Sequence, residues 1–236
     1  MNKRKIALCL ALLAPLVMAL TACGGGKKTE TGPLPAAADV LSQATQAFDT
    51  MTTFHFLLEH ENGTSPIPAG LQIVTAEGDV IVPDRLYAKL DARAGTQPVR
   101  VEVIGVGDDG WLTNPFTRQW QPLPSGTTIK DIFNPTEGIK AAIGSLQDAQ
   151  VTGAEEVGGV QTYHLTGTVT SDVLQAAAPI AKPGLIVPVE LWIGKDDHLI
   201  RRIYLNGPIA PDEPGNIVRK LTISNFGEQV TITPPA

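Results

Sequence analysis

Along residues 187–205 apolar and polar side chains alternate in two runs with a break between them. Val187, Val189, Leu191 and Ile193 share one phase, and Glu190 and Trp192 take the other. Gly194-Lys195-Asp196-Asp197 interrupts with turn-forming residues. Leu199, Arg201, Ile203 and Leu205 then alternate with Ile200, Arg202 and Tyr204. Two period-two runs about a short Gly/Asp turn predict a β-hairpin. The same pattern recurs along most of the chain, so a large antiparallel sheet is the expected frame.

Taken in order, the pattern first becomes helical. From Ala36, residues Val40, Leu41, Ala44, Ala47, Phe48 and Met51 recur in steps of three and four, with Asp39, Gln43, Gln46 and Asp49 opposite. An amphipathic helix of this kind needs a sheet to lie on. Alternation resumes over Thr53–Glu61, where Phe54, Phe56 and Leu58 share a phase, and Asn62-Gly63 ends it with a turn. Leu71–Val82 is the next strand, with an interruption expected at Gly78. Arg85–Leu90 and Val99–Val103 follow, then a hairpin closed by Asp108-Asp109-Gly110 into Trp111-Leu112-Thr113. Asn114-Pro115 turns into Arg118–Leu123. A second helix is announced by Asn134 as N-cap, Pro135 at its first position and Glu137 at its third. Ile139, Ala142, Ile143 and Leu146 form its apolar stripe. Gly158-Gly159 joins Gln150–Glu156 to Val160–Val169, and Ser171–Ala178 reads as a short helix ended by Pro179. A Pro/Gly-rich loop over 207–216 leads to strands at Ile217–Asn225 and Gln229–Thr233. The total is about eleven strands with two or three helices. The fold class is α+β: a single curved, mainly antiparallel sheet, which at this size tends to curl, with the helices over its concave face.

The first residues read as an address. Met1-Asn2-Lys3-Arg4-Lys5 is basic, and Ile6–Leu20 is an apolar run of 15 residues, short for a membrane span but ordinary for a signal peptide. Leu20-Thr21-Ala22-Cys23 follows at once and resembles the bacterial lipobox. That resemblance implies cleavage before Cys23, a diacylglycerol thioether on its sulfur and an acyl group such as palmitate on its amine. Residues 24–35 are rich in Gly, Pro and charge without periodicity, a flexible tether with a reach of roughly 20 Å. The expected organisation is a signal peptide over 1–22, the acylated Cys23 with its tether over 23–35, and a folded domain over 36–236. Localisation follows: the cell envelope, lipid-anchored to the outer face of the cytoplasmic membrane.

Removing the leader takes three of the 18 basic residues and none of the 24 acidic ones, so the net charge moves from −6 to −9. A chain this acidic is unsuited to binding nucleic acid through phosphates. Cys9 leaves with the leader and Cys23 is acylated, so no disulfide or thiol chemistry is expected in the folded domain.

Several short motifs now stand in order: Phe54-His55-Phe56, Val82-Pro83-Asp84-Arg85-Leu86-Tyr87, Asn134-Pro135-Thr136-Glu137-Gly138-Ile139, Glu190-Leu191-Trp192-Ile193 and Leu199-Ile200-Arg201-Arg202-Ile203. Behind a lipobox and tether, this series resembles the LppX/LprAFG family of bacterial lipoproteins over nearly the whole mature chain. The resemblance implies a half-barrel similar to LolA and LolB, with an apolar cavity for the acyl chains of a lipid or glycolipid. It brings no catalytic motif.

Candidate chemistry is sparse. His55, His60, His164 and His198 lack metal-ligand spacing and read as strand or turn histidines; no metal and no cofactor is expected. No Gly-x-Ser-x-Gly elbow occurs. Asp108-Asp109 and Asp196-Asp197 sit beside glycines and read as turns. Arg201-Arg202 reads as a solvated strand face, with an anionic headgroup as the sharper alternative. Trp111, Trp120 and Trp192 fill a core or line a cavity. The apolar faces carry the remaining signal. They exceed what two short helices can cover, and exposed apolar area costs roughly 25 cal/mol per Å². Phe54, Phe56, Leu86, Leu90, Val101, Leu191 and Ile203 lie on the more apolar phase of their strands and are the candidate cavity lining. The favoured reading is a non-enzymatic lipoprotein. It takes lipid or glycolipid acyl chains from the membrane and passes them on within the envelope, with an envelope lipid transporter as its possible partner. The alternatives are a structural or interaction lipoprotein with a filled core and, less favoured, an envelope hydrolase.

Overall fold

Alternating apolar positions build one open antiparallel sheet. In a computed structural model, which describes residues 33–67, 70–123, 127–131, 134–210 and 212–235, the strands are β1 (Thr53–Glu61), β2 (Ser65–Ile67), β3 (Leu71–Ile81), β4 (Arg85–Ala94), β5 (Gln97–Val106), β6 (Asp109–Thr113), β7 (Trp120–Pro122), β8 (Gln147–Val157), β9 (Val160–Thr170), β10 (Ile186–Gly194), β11 (Ile200–Asn206) and β12 (Val218–Ser224). They run in the order β7-β6-β5-β4-β3-β1-β12-β11-β10-β9-β8, with β2 added beside β3. The first and last strands therefore pair in the middle of the sheet. The fold is an α+β half-barrel, and among the described residues it has two α-helices: α1 (Ala37–Asp49) and α2 (Pro135–Gly144). The leader, Cys23 and the tether up to Gly32 lie outside the described residues.

Strand register explains the core. One inner rung crosses nine strands through Val151, Leu165, Leu191, Ile203, Leu221, Leu58, Ala76, Leu90 and Val101. Every member is apolar, because side chains two residues apart in a strand share a face and paired residues share it across strands. α1 lays Val40, Ala44 and Phe48 on this face, and α2 lays Ile139, Ala142 and Ile143. Phe48 meets Phe54 with ring centroids 6.4 Å apart. The Asn134 side chain accepts from the Glu137 backbone N–H at 3.2 Å and caps α2 as its sequence predicts. At the β8–β9 turn Gly158 and Gly159 have φ of 58° and 82°, the conformation that two-residue hairpins favour.

Four local expectations are corrected. β3 runs unbroken through Gly78. A Cβ there would lie 1.9 Å from the Tyr87 carbonyl oxygen, so the glycine permits a close approach of β3 to β4 and does not break the strand. Gln229–Thr233 is not a strand. β12 is already paired on both edges, by β1 and β11, and the tail instead ties down through Arg85 to the Ile232 carbonyl at 2.9 Å. Ser171–Ala178 contains one 3₁₀ turn, Ser171–Leu174, rather than a helix of that length. In β11 the alternation slips. Trp192 pairs with Arg202, but Ile193 pairs with Ile200. This bulge makes Arg201 an extra residue and turns Ile200 inward with Ile203, which strict period two would have forbidden.

The outer face carries a polar and aromatic ladder. Trp192 stacks on His164 at 4.4 Å and tilts against Tyr204 at 4.8 Å. Arg202 covers both rings, at 5.5 and 5.7 Å. Trp192 is buried by this stack and lies on the side of the sheet opposite Leu191. Arg201 pairs with Asp197 and lies over Phe226. The Arg201-Arg202 pair thus has internal partners.

Candidate functional site

Between the inner face and α2 lies a cavity of about 400 Å³. Its floor is the centre of the sheet: Leu58 of β1, Ile73 of β3, Ile203 and Leu205 of β11 and Leu221 of β12. Pro66 and Ile67 of β2 form one side. Pro135, Gly138 and Ala142 of α2 form the roof with Leu174 and Ala177–Ile180, and Ile209 closes it from the 207–217 loop. Helix packing sets this space. α2 turns small residues, Gly138 and Ala142, toward it, where larger side chains would have filled it. Its lining is mainly apolar, and apolar surface left against water costs roughly 25 cal/mol per Å². The volume falls within the roughly 300–1,000 Å³ of pockets that enclose small ligands.

The cavity has one polar end. The rung after Leu58–Leu221–Ile203 consists of His60, Arg219 and Leu205. Two of its members are polar and yet sit on the inner phase. Arg219 and Glu213 pair with side chains each only 6% exposed. The Arg219 Nε–H donates to Ser65 Oγ at 3.1 Å. Ser65 Oγ lies 2.7 Å from His60 Nε2, and the opposite ring nitrogen, Nδ1, is 3.0 Å from the Val74 carbonyl. A carbonyl can only accept, so Nδ1 carries the proton and Nε2 accepts from the serine hydroxyl. Burial holds His60 below the usual histidine range, with the nearby Arg219 charge acting the same way against the opposing Val74 bond. The chain Arg219–Ser65–His60–Val74 is thereby set with a neutral imidazole.

Of the predicted lining residues, Ile203 lies in the cavity wall. Phe54, Phe56, Leu86, Leu90, Val101 and Leu191 are buried in the surrounding core, where neighbouring side chains pack on them. Cys23 lies outside the described residues. Reasoning from sequence missed Arg219, Glu213 and Ser65, and took His60 for an ordinary strand histidine. For two of them the signal was present: His60 continues the phase of Phe54, Phe56 and Leu58, and Arg219 that of Ile217, Leu221 and Ile223. A polar residue on an apolar phase marks a buried polar site. Of the other histidines, His55 lies 2.8 Å from Asp79 and His164 lies 2.9 Å from Glu190, both among carboxylates on the outer face, while His198 sits in the β10–β11 turn.

Fold and site together define a class: an α+β half-barrel that encloses an apolar cavity with a charged, hydrogen-bonded end. The chain belongs to the LppX_LprAFG lipoprotein family, whose model matches residues 36–232. It is 28% identical to the lipoarabinomannan carrier protein LprG of Mycolicibacterium smegmatis over 96% of this chain and 94% of that protein. It is also 28% identical to the lipoprotein LprA of Mycobacterium bovis, over 98% and 96%. Among solved structures it resembles LprF of Mycobacterium bovis, with TM-score 0.66 and 19% identity over 85% of this chain and 97% of that one. LppX of Mycobacterium tuberculosis gives 0.58 and 23% over 83% and 99%. At those identities the structural likeness establishes the fold.

Proposed function

We propose that this protein is a lipid carrier of the cell envelope, anchored through an acylated Cys23 to the outer face of the cytoplasmic membrane. The observation that carries the reading is the apolar cavity of about 400 Å³ beneath α2. Acyl chains of a lipid or glycolipid leave the bilayer, bury their methylenes there and are passed on within the envelope. An envelope lipid transporter is the natural partner for one end of that transfer. Each methylene kept from water is worth roughly 0.8 kcal/mol, so loading needs no chemical step and the protein acts without catalysis. The LprG relatives carry the name of a lipoarabinomannan carrier, which points the same way and favours a glycolipid. A filled-core interaction lipoprotein has no use for a cavity of this size.

The test is solvent extraction of the purified protein followed by mass spectrometry, on wild type and Leu221→Trp. Leu221 is half-buried in the cavity floor. The indole should occupy space meant for chains, so bound lipid should fall while the melting temperature holds or rises, as in cavity filling. Wild-type protein that yields no lipid, or a variant that keeps its full load, would contradict the carrier reading.

A further inference from the structure

Arg219 is a buried cation in the wall of an otherwise largely apolar cavity, and its partner is not fixed to the sheet. Glu213 lies in the irregular 207–217 loop. One of its carboxylate oxygens, Oε2, accepts the backbone N–H groups of Ile209 at 2.8 Å and Ala210 at 3.3 Å, and the other, Oε1, takes the Arg219 Nη2. The guanidinium itself is held from elsewhere, by Ser65 on β2 and by the Gly207 carbonyl at 3.4 Å. Behind Ser65 stands His60, which leaves the serine oxygen free to accept from Nε. Removing the Glu213 carboxylate would therefore leave the guanidinium in place with Nη2 lacking an acceptor. A buried guanidinium without an anion is costly, and its planar fork suits phosphate oxygens as well as carboxylate.

We propose that Arg219 selects the cargo. It is the anchor for the phosphate of an anionic lipid, and Glu213 is an internal anion that holds the place until a phosphodiester oxygen displaces it from Nη2. The inference rests on the carrier reading above and adds a class of lipid to it. A neutral diacylglycerol offers the same chains to the same apolar walls but nothing to Arg219. A phospholipid, or a glycolipid built on one, offers both.

The experiment uses the full acylated chain in phosphatidylcholine vesicles doped with diazirine-tailed phosphatidylglycerol or with diacylglycerol bearing the same tails. After illumination, the adduct on the peptide containing Leu221 is quantified by mass spectrometry. Wild type should label with phosphatidylglycerol about tenfold more than with diacylglycerol, the scale of one charge-assisted hydrogen bond. Glu213→Gln should raise the phosphatidylglycerol yield. Arg219→Gln alone strands Glu213 and risks misfolding, so the decisive variant is Glu213→Gln with Arg219→Gln, which removes both charges. It should bring the ratio of the two yields close to one. An unchanged ratio in the double variant overturns the anchor while the carrier reading stands. No adduct from either lipid in wild type overturns both. Inorganic phosphate is the remaining arm. If it alone raises the melting temperature of wild type and not of the double variant, a free ion is the ligand and the lipid assignment falls.

Discussion

His60 is the residue whose environment says most. Its neutral form is built into a hydrogen-bonded chain, and burial holds its folded pKa below the unfolded value of 6.5. Below pH 6.5 the unfolded chain therefore binds more protons than the folded one, and stability falls as pH falls toward the folded pKa. Denaturant midpoints at pH 7.5 and pH 5 should show a larger loss for wild type than for His60→Gln; equal losses would refute the assignment. Val101 supplies the contrast with the cavity floor. It is 2% exposed and packed within the core, so Val101→Trp should overpack the interior and cost about 1–3 kcal/mol by denaturant titration. Leu221→Trp should cost nothing on the same measure. Both residues lie on the apolar phase of their strands, and alternation places both inside. It does not distinguish a position packed within the core from one under a void.

Among the strands and helices, caps and close approaches set what the sequence must keep. Asn134 closes the first turn of α2, the helix that roofs the cavity. Asn134→Ala should cost about 1 kcal/mol, read as a lower melting temperature, and α2 should loosen first in hydrogen exchange. Gly78 is stricter. Any Cβ there meets the backbone of β4, a contact that no rotamer relieves. Gly78→Ala should cost about 3 kcal/mol or more, the upper end of overpacking, or abolish folding, as far-UV circular dichroism and melting would show. These elements differ in how far they were legible. Asn134-Pro135-x-Glu137 carries its own start signal and needs no tertiary partner. Gly78 reads as a break because glycine weakens a strand in isolation; only the proximity of β4 makes it a requirement of the strand. The bulge that admits Arg201 was likewise invisible, because an unpaired residue disrupts period two without leaving a composition of its own.

Across the protein as a unit, the anchor and the cavity have to work together. A carrier that draws chains from a bilayer must stay beside it, and the acyl groups expected on Cys23 would hold it there far more firmly than one chain could. Cys23→Ala should move the protein from the membrane fraction to the soluble fraction with its melting temperature unchanged. Retention in washed membranes would show that something else holds it. The sheet order serves the cavity too. β1 is followed in sequence by β2 but pairs with β3 on one edge and with β12 on the other, so that His55 lies opposite Ser224. The loop before β12 is thereby brought over the cavity, with Ile209 in its wall and Glu213 on Arg219.

Residue order alone specifies the class of fold, most of the strands with their inward phases, the two helices and the cap of α2. Each of these depends on local periodicity or on a few adjacent side chains, which a linear sequence records directly. Packing between distant elements sets where the sheet's inner face is covered and where it is left open, and it brings Glu213, Arg219, Ser65 and His60 to one end of that opening. Those four come from a loop and three strands, β12, β2 and β1. Their meeting depends on register and on helix placement, which no local pattern encodes.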